Sequence, residues 1–302
     1  MGPTASGKTQ LAIELAERYP CDIISVDSAM IYRGMDIGTA KPTADMLKVA
    51  PHYLIDILDP SESYSVAQFR QDALGIIHSI HAKGRIPLLV GGTMLYFRAL
   101  QYGLADMPSR DNEIRTALLQ EAEVNGWPFM HERLRQVDPS SANRIHPHDA
   151  QRIQRALEVY KLTGKNKADF HAEQVKGKND FCIHSFIASP SDRAILHKRI
   201  EKRFLEMLKQ GFMDEVNHLF LREDLNCSMP SIRSLGYRQA WSYLSGEINY
   251  QAMSEKAIIA TRQFAKRQLT WLRHWQDAFW FESESSAVMS NVMHALDELL
   301  KE

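Results

Sequence analysis

Behind the opening "MGPTASGKTQ", Leu11, Ala12, Leu15 and Ala16 recur at helical spacing, so a helix is expected there. Three short apolar runs rich in β-branched residues follow, "CDIISVDS", "HYLIDILDP" and "RIPLLVGGT", with the helical stretch "SVAQFRQDALGIIHSIHAKG" between the last two. That alternation predicts a parallel α/β sheet. A further strand is expected only within "DFCIHSFIASP", so about 85 residues of helical pattern separate it from the strand before. Within that segment, residues 110–145 read as a small helical insert opening at "DMPSRDNEIR", with an N-cap at Ser109 or Asp111. Beyond residue 191 the pattern is almost wholly helical. The fold class expected is α/β, a P-loop nucleotide-binding-like parallel sheet with a helical insert and a helical C-terminal region. Its catalytic core would comprise residues 1–109 and 146–302.

The opening itself carries chemistry. Gly2, Pro3, Thr4, Ala5, Ser6, Gly7, Lys8 and Thr9 fit the phosphate-cradling pattern G-x-x-x-x-G-K-[ST]. Gly2 and Gly7 let backbone N–H groups turn inward, Lys8 adds a point charge, and the helix behind them points its positive dipole end at an anion. The Thr9 hydroxyl is placed to hold Mg²⁺. Such a loop ordinarily follows a buried central strand, yet only Met1 precedes it here. The expectation is therefore a truncated or late-assigned start, with neighbouring strands left unpaired.

Composition narrows the field. With 302 residues, 44% of them hydrophobic, the chain can bury a sizeable core, and a formal net charge of −1 provides no global field for nucleic acid. Any such surface must come from local clusters. Cys21, Cys182 and Cys227 are in no metal-ligand spacing and fit reduced thiols. His146 and His148 flank Pro147 without a third ligand nearby and read as loop residues. The longest mostly apolar stretch, "IPLLVGGTMLYF", is too short to span a bilayer, so the expected location is cytoplasmic, and a monomer is the default state.

Asp27 ends the strand "IISVD", which puts its carboxylate at the carboxyl edge of the sheet beside the phosphate loop. Two roles compete for it, an acid holding Mg²⁺ through water and a general base. The continuation "DSAMIYRGMDIGTAKP" places hydroxyl, aromatic and basic groups directly after the acid, which looks like a substrate-reading loop.

Taken together, "GPTASGKT", "SVDSAMIYRGMDIGTAKP", "LVGGTMLYFRAL", "RSLGYRQ" and "FAKRQLTWLR" resemble the tRNA dimethylallyltransferase family over nearly the whole chain, and in the family's order. The absent first strand is the one clear departure. The resemblance implies transfer of a dimethylallyl group from its diphosphate to N6 of adenosine-37, the nucleotide after the anticodon, with tRNA (through its anticodon stem-loop) and dimethylallyl diphosphate as partners. It implies tRNAs that read codons beginning with U. The phosphate in the loop would then be a leaving group, so Lys8, the loop N–H groups and Mg²⁺ on Thr9 would stabilise charge as it accumulates. The resemblance further sets Thr4 against the substrate, makes Arg203 a second cation for the diphosphate and puts Thr93 near the reacting centre. Read without it, Arg203 is a solvated helix charge and Thr93 a helix N-cap.

RNA contacts are expected mainly from the later helices. Arg262, Lys266 and Arg273 fall on one helical face, with Arg267, Gln268 and Trp271 in the same stretch. Trp271 and Trp275 lie at i, i+4 and offer rings either to bases or, as such pairs more often do, to the core. In "DAQRIQRALEVY", Gln151, Arg152, Ile153, Gln154 and Arg155 form a segment the resemblance assigns to tRNA; without it the run reads as a solvated face. "RSLGYRQ" adds Arg233, Gly236, Tyr237 and Arg238, with arginines able to reach phosphates. Asp27, Ser28, Ala29, Met30, Thr93 and Arg115 complete the expected tRNA set. Prenylation of free adenine nucleotides and a small-molecule kinase share the loop and the sheet and stand as alternatives; a non-catalytic nucleotide switch is disfavoured, since no specificity loops of that kind are evident.

Overall fold

The structure is a computed structural model that describes residues 1–173 and 180–301. The chain divides into two compact units, one built from Met1–Gln101 with Asp180–Glu302, the other from Tyr102–Asn179. The N-terminal half of the first unit runs α1 (Lys8–Arg18), β1 (Cys21–Val26), α2 (Ala44–Val49), β2 (His52–Tyr53), α3 (Val66–Ala82), β3 (Ile86–Gly91) and α4 (Met94–Tyr102). The second unit holds α5 (Asn112–Asn125), α6 (Trp127–Val137), α7 (Pro139–Arg144), α8 (Ala150–Thr163) and α9 (Lys167–Glu173). The chain then returns through β4 (Ser185–Ser189), α10 (Arg193–Lys209), α11 (Phe212–Phe220), α12 (Tyr237–Leu244), α13 (Tyr250–Arg273), β5 (Ala278–Glu282) and α14 (Val288–Leu299).

Strand β1 lies between β2 and β3, parallel to both, with Cys21–Val26 opposite Ile86–Gly91. Its Ile23, Ile24 and Val26 are all buried, as a parallel strand covered on both faces requires. Helix α3 starts in a Ser65/Gln68 capping box and turns Phe69, Ala73, Ile77 and Ile80 into the core that also takes Ile24 and Val26. Strands β4 and β5 pair parallel to each other, Ser185 opposite Ala278. Between β3 and β4 lies a mostly apolar cleft of about 340 Å³. Met1 touches its β4 side, donating from its amino nitrogen to Phe186 O at 2.6 Å and accepting from Ala188 N at 3.0 Å.

Two expectations change. The run "HYLIDILDP" is a strand only at His52–Tyr53, because Leu54 and Asp56 take positive φ and turn the chain away. Its remainder pairs instead with the loop after Asp27, Arg33 N donating to Leu58 O at 2.9 Å and Leu58 N to Ile31 O at 3.0 Å. The C-terminal region is not wholly helical either, since "AFWFE" forms β5 along β4. The strand is short and partly exposed, so its burial pattern carries little signal.

The helical unit is wider than 110–145, spanning Tyr102–Asn179. Helix α8 belongs to it because Ile153, Ala156 and Leu157 complete a core with Leu118 and Ala122 of α5 and Met130 and Leu134 of α6. Asp111, not Ser109, caps α5, accepting from Ile114 N at 2.9 Å. Glu158, fully buried, accepts from Asp111 N at 2.9 Å, Arg115 at 3.2 Å and Arg155 at 3.0 Å. Removing the carboxylate would strand two half-buried guanidinium groups. Glu158→Ala is expected to lower stability by about 3–5 kcal/mol, measured by urea unfolding, against less than about 1 kcal/mol for an exposed pair such as Glu132 with Arg135.

Candidate active site

The loop before α1 is shaped by backbone conformation. Gly7 caps the helix at φ 89°, a left-handed geometry for which glycine carries no Cβ penalty. Lys8 folds back over the loop and donates from Nζ to Pro3 O at 2.7 Å. Ser6 is buried, and its hydroxyl has no hydrogen-bond partner among the described residues.

Parallel pairing brings two further turns to this loop. Asp27 follows β1 directly and accepts through Oδ1 from Ala29 N at 2.9 Å and Met30 N at 3.4 Å, which leaves Oδ2 to meet a ligand. Thr93 follows β3; its N–H donates to Val26 O at 3.2 Å and its hydroxyl oxygen accepts from Ser28 N at 3.2 Å. The Thr93 hydroxyl thus holds the Asp27 turn. Helix α10 adds Arg203, which faces the same carboxylate.

These groups open on one cavity of about 430 Å³, with Thr4, Asp27, Thr93, Arg203, Arg233 and Arg267 on its polar side and Tyr32, Tyr96, Phe204, Met207 and Phe212 on its apolar side. Burial, with Arg203 close by, pulls the Lys8 ammonium down to about 8, and Asp27 opposes that shift. Arg203 is likewise held below its ordinary value by burial, with Asp27 acting the other way. Burial pushes the Tyr96 phenol up, with Tyr32 and Asp27 adding to it. Three arginines and one carboxylate on a cavity that also has an apolar lining, with Lys8 coupled to Arg203 and Asp27 beside it, suit an anionic substrate with an apolar tail.

The wall of this cavity is braced from behind. The Glu215 carboxylate accepts from Asp36 N at 2.8 Å, Ile37 N at 2.7 Å, Gly38 N at 3.0 Å and the Tyr237 hydroxyl at 2.6 Å. Lys41 donates to Tyr32 O at 2.9 Å and to Asp36 and Asp56 at 2.5 Å each. The segment "DSAMIYRGMDIGTAKP" is a fixed wall rather than a free loop.

Several expected contact residues lie elsewhere. Tyr237 is fully buried, its hydroxyl on Glu215, and Gly236 is buried beside it with φ 85°; both line the cavity from the interior rather than an outer surface. Gln268 is buried under the Thr4 loop, and Ile153 and Gln154 are buried within the helical unit, Gln154 bonded to Arg115. All five are buried, a correction to a surface reading. Their helices turn one face to the core, and residues between exposed cations are carried inward by helical geometry. Ser28, Arg233, Arg238, Lys266, Arg267 and Arg273 are exposed, as are Gln151 and Arg152 on α8, while Arg115 and Arg155 are half-buried through their shared partner Glu158. Arg262 is engaged with Glu201 at 2.6 Å. The tryptophan pair divides. Trp275 packs on the core and donates to Ser185 Oγ at 3.1 Å, whereas Trp271 is 39% exposed with the Arg98 guanidinium 5.9 Å above its ring. Tyr32 and Tyr96 are cavity residues that sequence reasoning missed, although both stand inside the motif blocks; a polar-capped aromatic beside a catalytic candidate was the available signal.

Fold and cavity together define an α/β enzyme. The chain belongs to the IPP transferase family, whose model matches residues 30–275. It is 55% identical over 300 residues to the tRNA dimethylallyltransferase of Thioalkalivibrio sulfidiphilus, covering 98% of this chain and 94% of that protein. The crystal structure of the full-length tRNA isopentenylpyrophosphate transferase of Bacillus halodurans superposes with a TM-score of 0.72 at 36% identity, over 99% of this chain and 95% of the other. A eukaryotic dimethylallyltransferase described as acting on tRNA gives a TM-score of 0.82 at 26% identity, over 98% of this chain and 77% of that one. None of these matches supports the kinase or free-nucleotide readings. No described helix is long and apolar enough to cross a membrane.

The lowered Lys8 value fixes a pH dependence. Below about 8 the amine is charged and attracts a diphosphate; above it the free enzyme loses that charge. The kcat/KM for the diphosphate substrate is therefore expected to be flat below about pH 8 and to fall by up to about tenfold per unit above it. In the kcat profile the same limb should lie at higher pH, because bound diphosphate favours the protonated amine. Initial-rate profiles at saturating tRNA check this.

Proposed function

We propose that this cavity transfers a dimethylallyl group from dimethylallyl diphosphate to N6 of adenosine-37 in tRNA. The observation that carries the reading is the convergence of Thr4, Asp27, Thr93 and Arg203 on one cavity that also has an aromatic and aliphatic lining, with Lys8 electrostatically coupled to Arg203 and Asp27 beside it.

The loop residues Gly2 to Thr9, in P-loop arrangement, hold the diphosphate, with Lys8, Arg203 and the N-terminus of α1 opposing its charge as the allylic C–O bond breaks. The apolar wall takes the five-carbon chain. N6 of adenine attacks the allylic carbon, a C–N bond forms, and the proton it sheds passes to Asp27 through Oδ2 while diphosphate leaves. Thr93 keeps the Asp27 turn at the reacting centre. Thr9 supplies a hydroxyl and the substrate its phosphate oxygens, an oxygen-only set that fits Mg²⁺; when bound, the ion would neutralise leaving-group charge. The exposed cations Arg233, Arg238, Lys266, Arg267 and Arg273, with Trp271, supply a surface for the anticodon stem-loop, and α8 of the helical unit supplies Gln151, Arg152 and Arg155. Adenosine-37 reaches Asp27 by leaving the loop stack.

Incubation with labelled dimethylallyl diphosphate and either unmodified tRNA or AMP tests the assignment. Label is expected in tRNA at position 37 alone; label in AMP, or ATP consumed without prenyl product, would defeat it. In the same assay Asp27→Ala should lower kcat by about 10²–10⁴ with tRNA binding within a few-fold. If Asp27 instead only served Mg²⁺, the loss would appear as weakened diphosphate binding.

Filter binding of unmodified tRNA across salt concentrations examines the RNA surface. Arg273→Ala and Arg233→Ala should each flatten the log–log salt slope by about 0.7–0.9, the effect of one fewer phosphate neutralised. Unchanged slopes would remove these residues from the interface.

A further inference from the structure

Gln268 stands on α13 amid exposed cations, yet it is only 4% exposed, and both ends of its amide are used. Its Oε1 accepts from Thr4 N at 2.8 Å, in the loop before α1, and its Nε2 donates to Gly92 O at 2.8 Å, in the turn after β3. The fit is close: a Cβ built on Gly92 would fall 2.3 Å from Nε2. Gly92 precedes Thr93, whose hydroxyl oxygen receives Ser28 N–H beside Asp27. One side chain thus ties the loop read as holding the leaving group to the turn that sets the base.

We propose that Gln268 is a positioning residue that fixes the separation between the diphosphate loop and the Thr93–Asp27 turns, and that it makes no contact with tRNA. The proposal rests on the site assignment above. In-line transfer needs leaving oxygen, carbon and attacking nitrogen held in one geometry, and a displacement of about 1 Å can cost about 10²-fold in rate. Gln268 reaches both elements from near the other end of the chain, 264 residues from Thr4 and 176 from Gly92. A primary amide suits the task, because one planar group donates and accepts at once without bringing a charge among Lys8, Arg203 and Asp27.

The test uses Gln268→Met, which keeps length and removes both bonds, and Gln268→Glu, which keeps the acceptor for Thr4 N and loses the donor to Gly92 O. Gln268→Met should lower kcat by about 10–100-fold while KM for tRNA stays within about threefold. In Gln268→Glu the protonated carboxylic acid can again donate to Gly92 O, so its kcat relative to wild type should rise as pH falls from about 8 to about 6, since burial raises a carboxyl pKa. A merely structural defect has no such profile, and the Glu variant, matched in size, keeps the question open to measurement if the Met variant unfolds. Combining Gln268→Met with Thr93→Ala should cost little more than the larger single loss, because both act on one turn. A loss confined to KM for tRNA, a kcat unchanged in both Gln268 variants, or additive effects with Thr93→Ala would each overturn the positioning role. Full turnover in Thr93→Ala would instead overturn the site assignment, and this proposal with it.

Discussion

The site depends on keeping two cations and one carboxylate, Lys8, Arg203 and Asp27, close enough to act on one another. Lys8 and Arg203 are each pushed toward neutrality by burial, and Lys8 also by Arg203; Asp27 works against both shifts. Alone, such a cluster is costly, since like charges repel more strongly as water is excluded. The fold holds it by backbone geometry instead. Lys8 is pinned on Pro3 O, and the Asp27 carboxylate is seated on two N–H groups of its own turn. The surplus of one positive charge among the three favours a polyanion and makes neutral ligands poor competitors. Transferring a prenyl group fits that balance, because negative charge grows on the phosphate side as the bond breaks.

Holding charges this way requires the turns behind them to be rigid. Glu215 gathers three successive backbone N–H groups of residues 36–38, and Lys41 reaches three oxygens across residues 32–56. The wall facing the cavity is therefore fixed by helix α11, far away in sequence. Tyr32 and Phe212 sit in the core that joins wall and helix, so the apolar pocket and the support of the reading segment are one packed cluster.

This division explains what the sequence disclosed. The loop before α1 and the place of Asp27 could be read from a motif and a strand end, since parallel strands deliver their carboxyl ends to one edge, whereas Thr93, a helix N-cap by its residues alone, was set near the reacting centre by the family resemblance. Arg203 needed the family resemblance, since a lone arginine on an amphipathic helix looks like any solvated charge. Helix faces were the weak point. Gln268, Tyr237, Ile153 and Gln154 each lie in a segment rich in exposed cations, and a segment-level reading cannot say which residue of a turn faces inward. The truncated strand at His52 and the short β5 escaped because one is decided by two positive-φ residues and the other by pairing with a partner ninety-odd residues away, about the separation of Ser185 and Ala278.

Helix α13 brings these threads together. Its buried side holds Ala257, Ala265, Gln268 and Leu272, and its exposed side Lys266, Arg267, Trp271 and Arg273. Because both sides belong to one rigid rod, the position of the exposed cations is referred to the same backbone that Gln268 ties to Thr4 and Gly92. On the proposed reading, a phosphate backbone gripped by the outer face would be registered against the Thr93–Asp27 turns within the tolerance of a single helix. Arg267 makes the connection direct, being both exposed and at the cavity rim. On the proposed reading, the helix that attracts a polyanion is also the one that sets where its extruded base can go, so that affinity and alignment would arise from opposite faces of the same element.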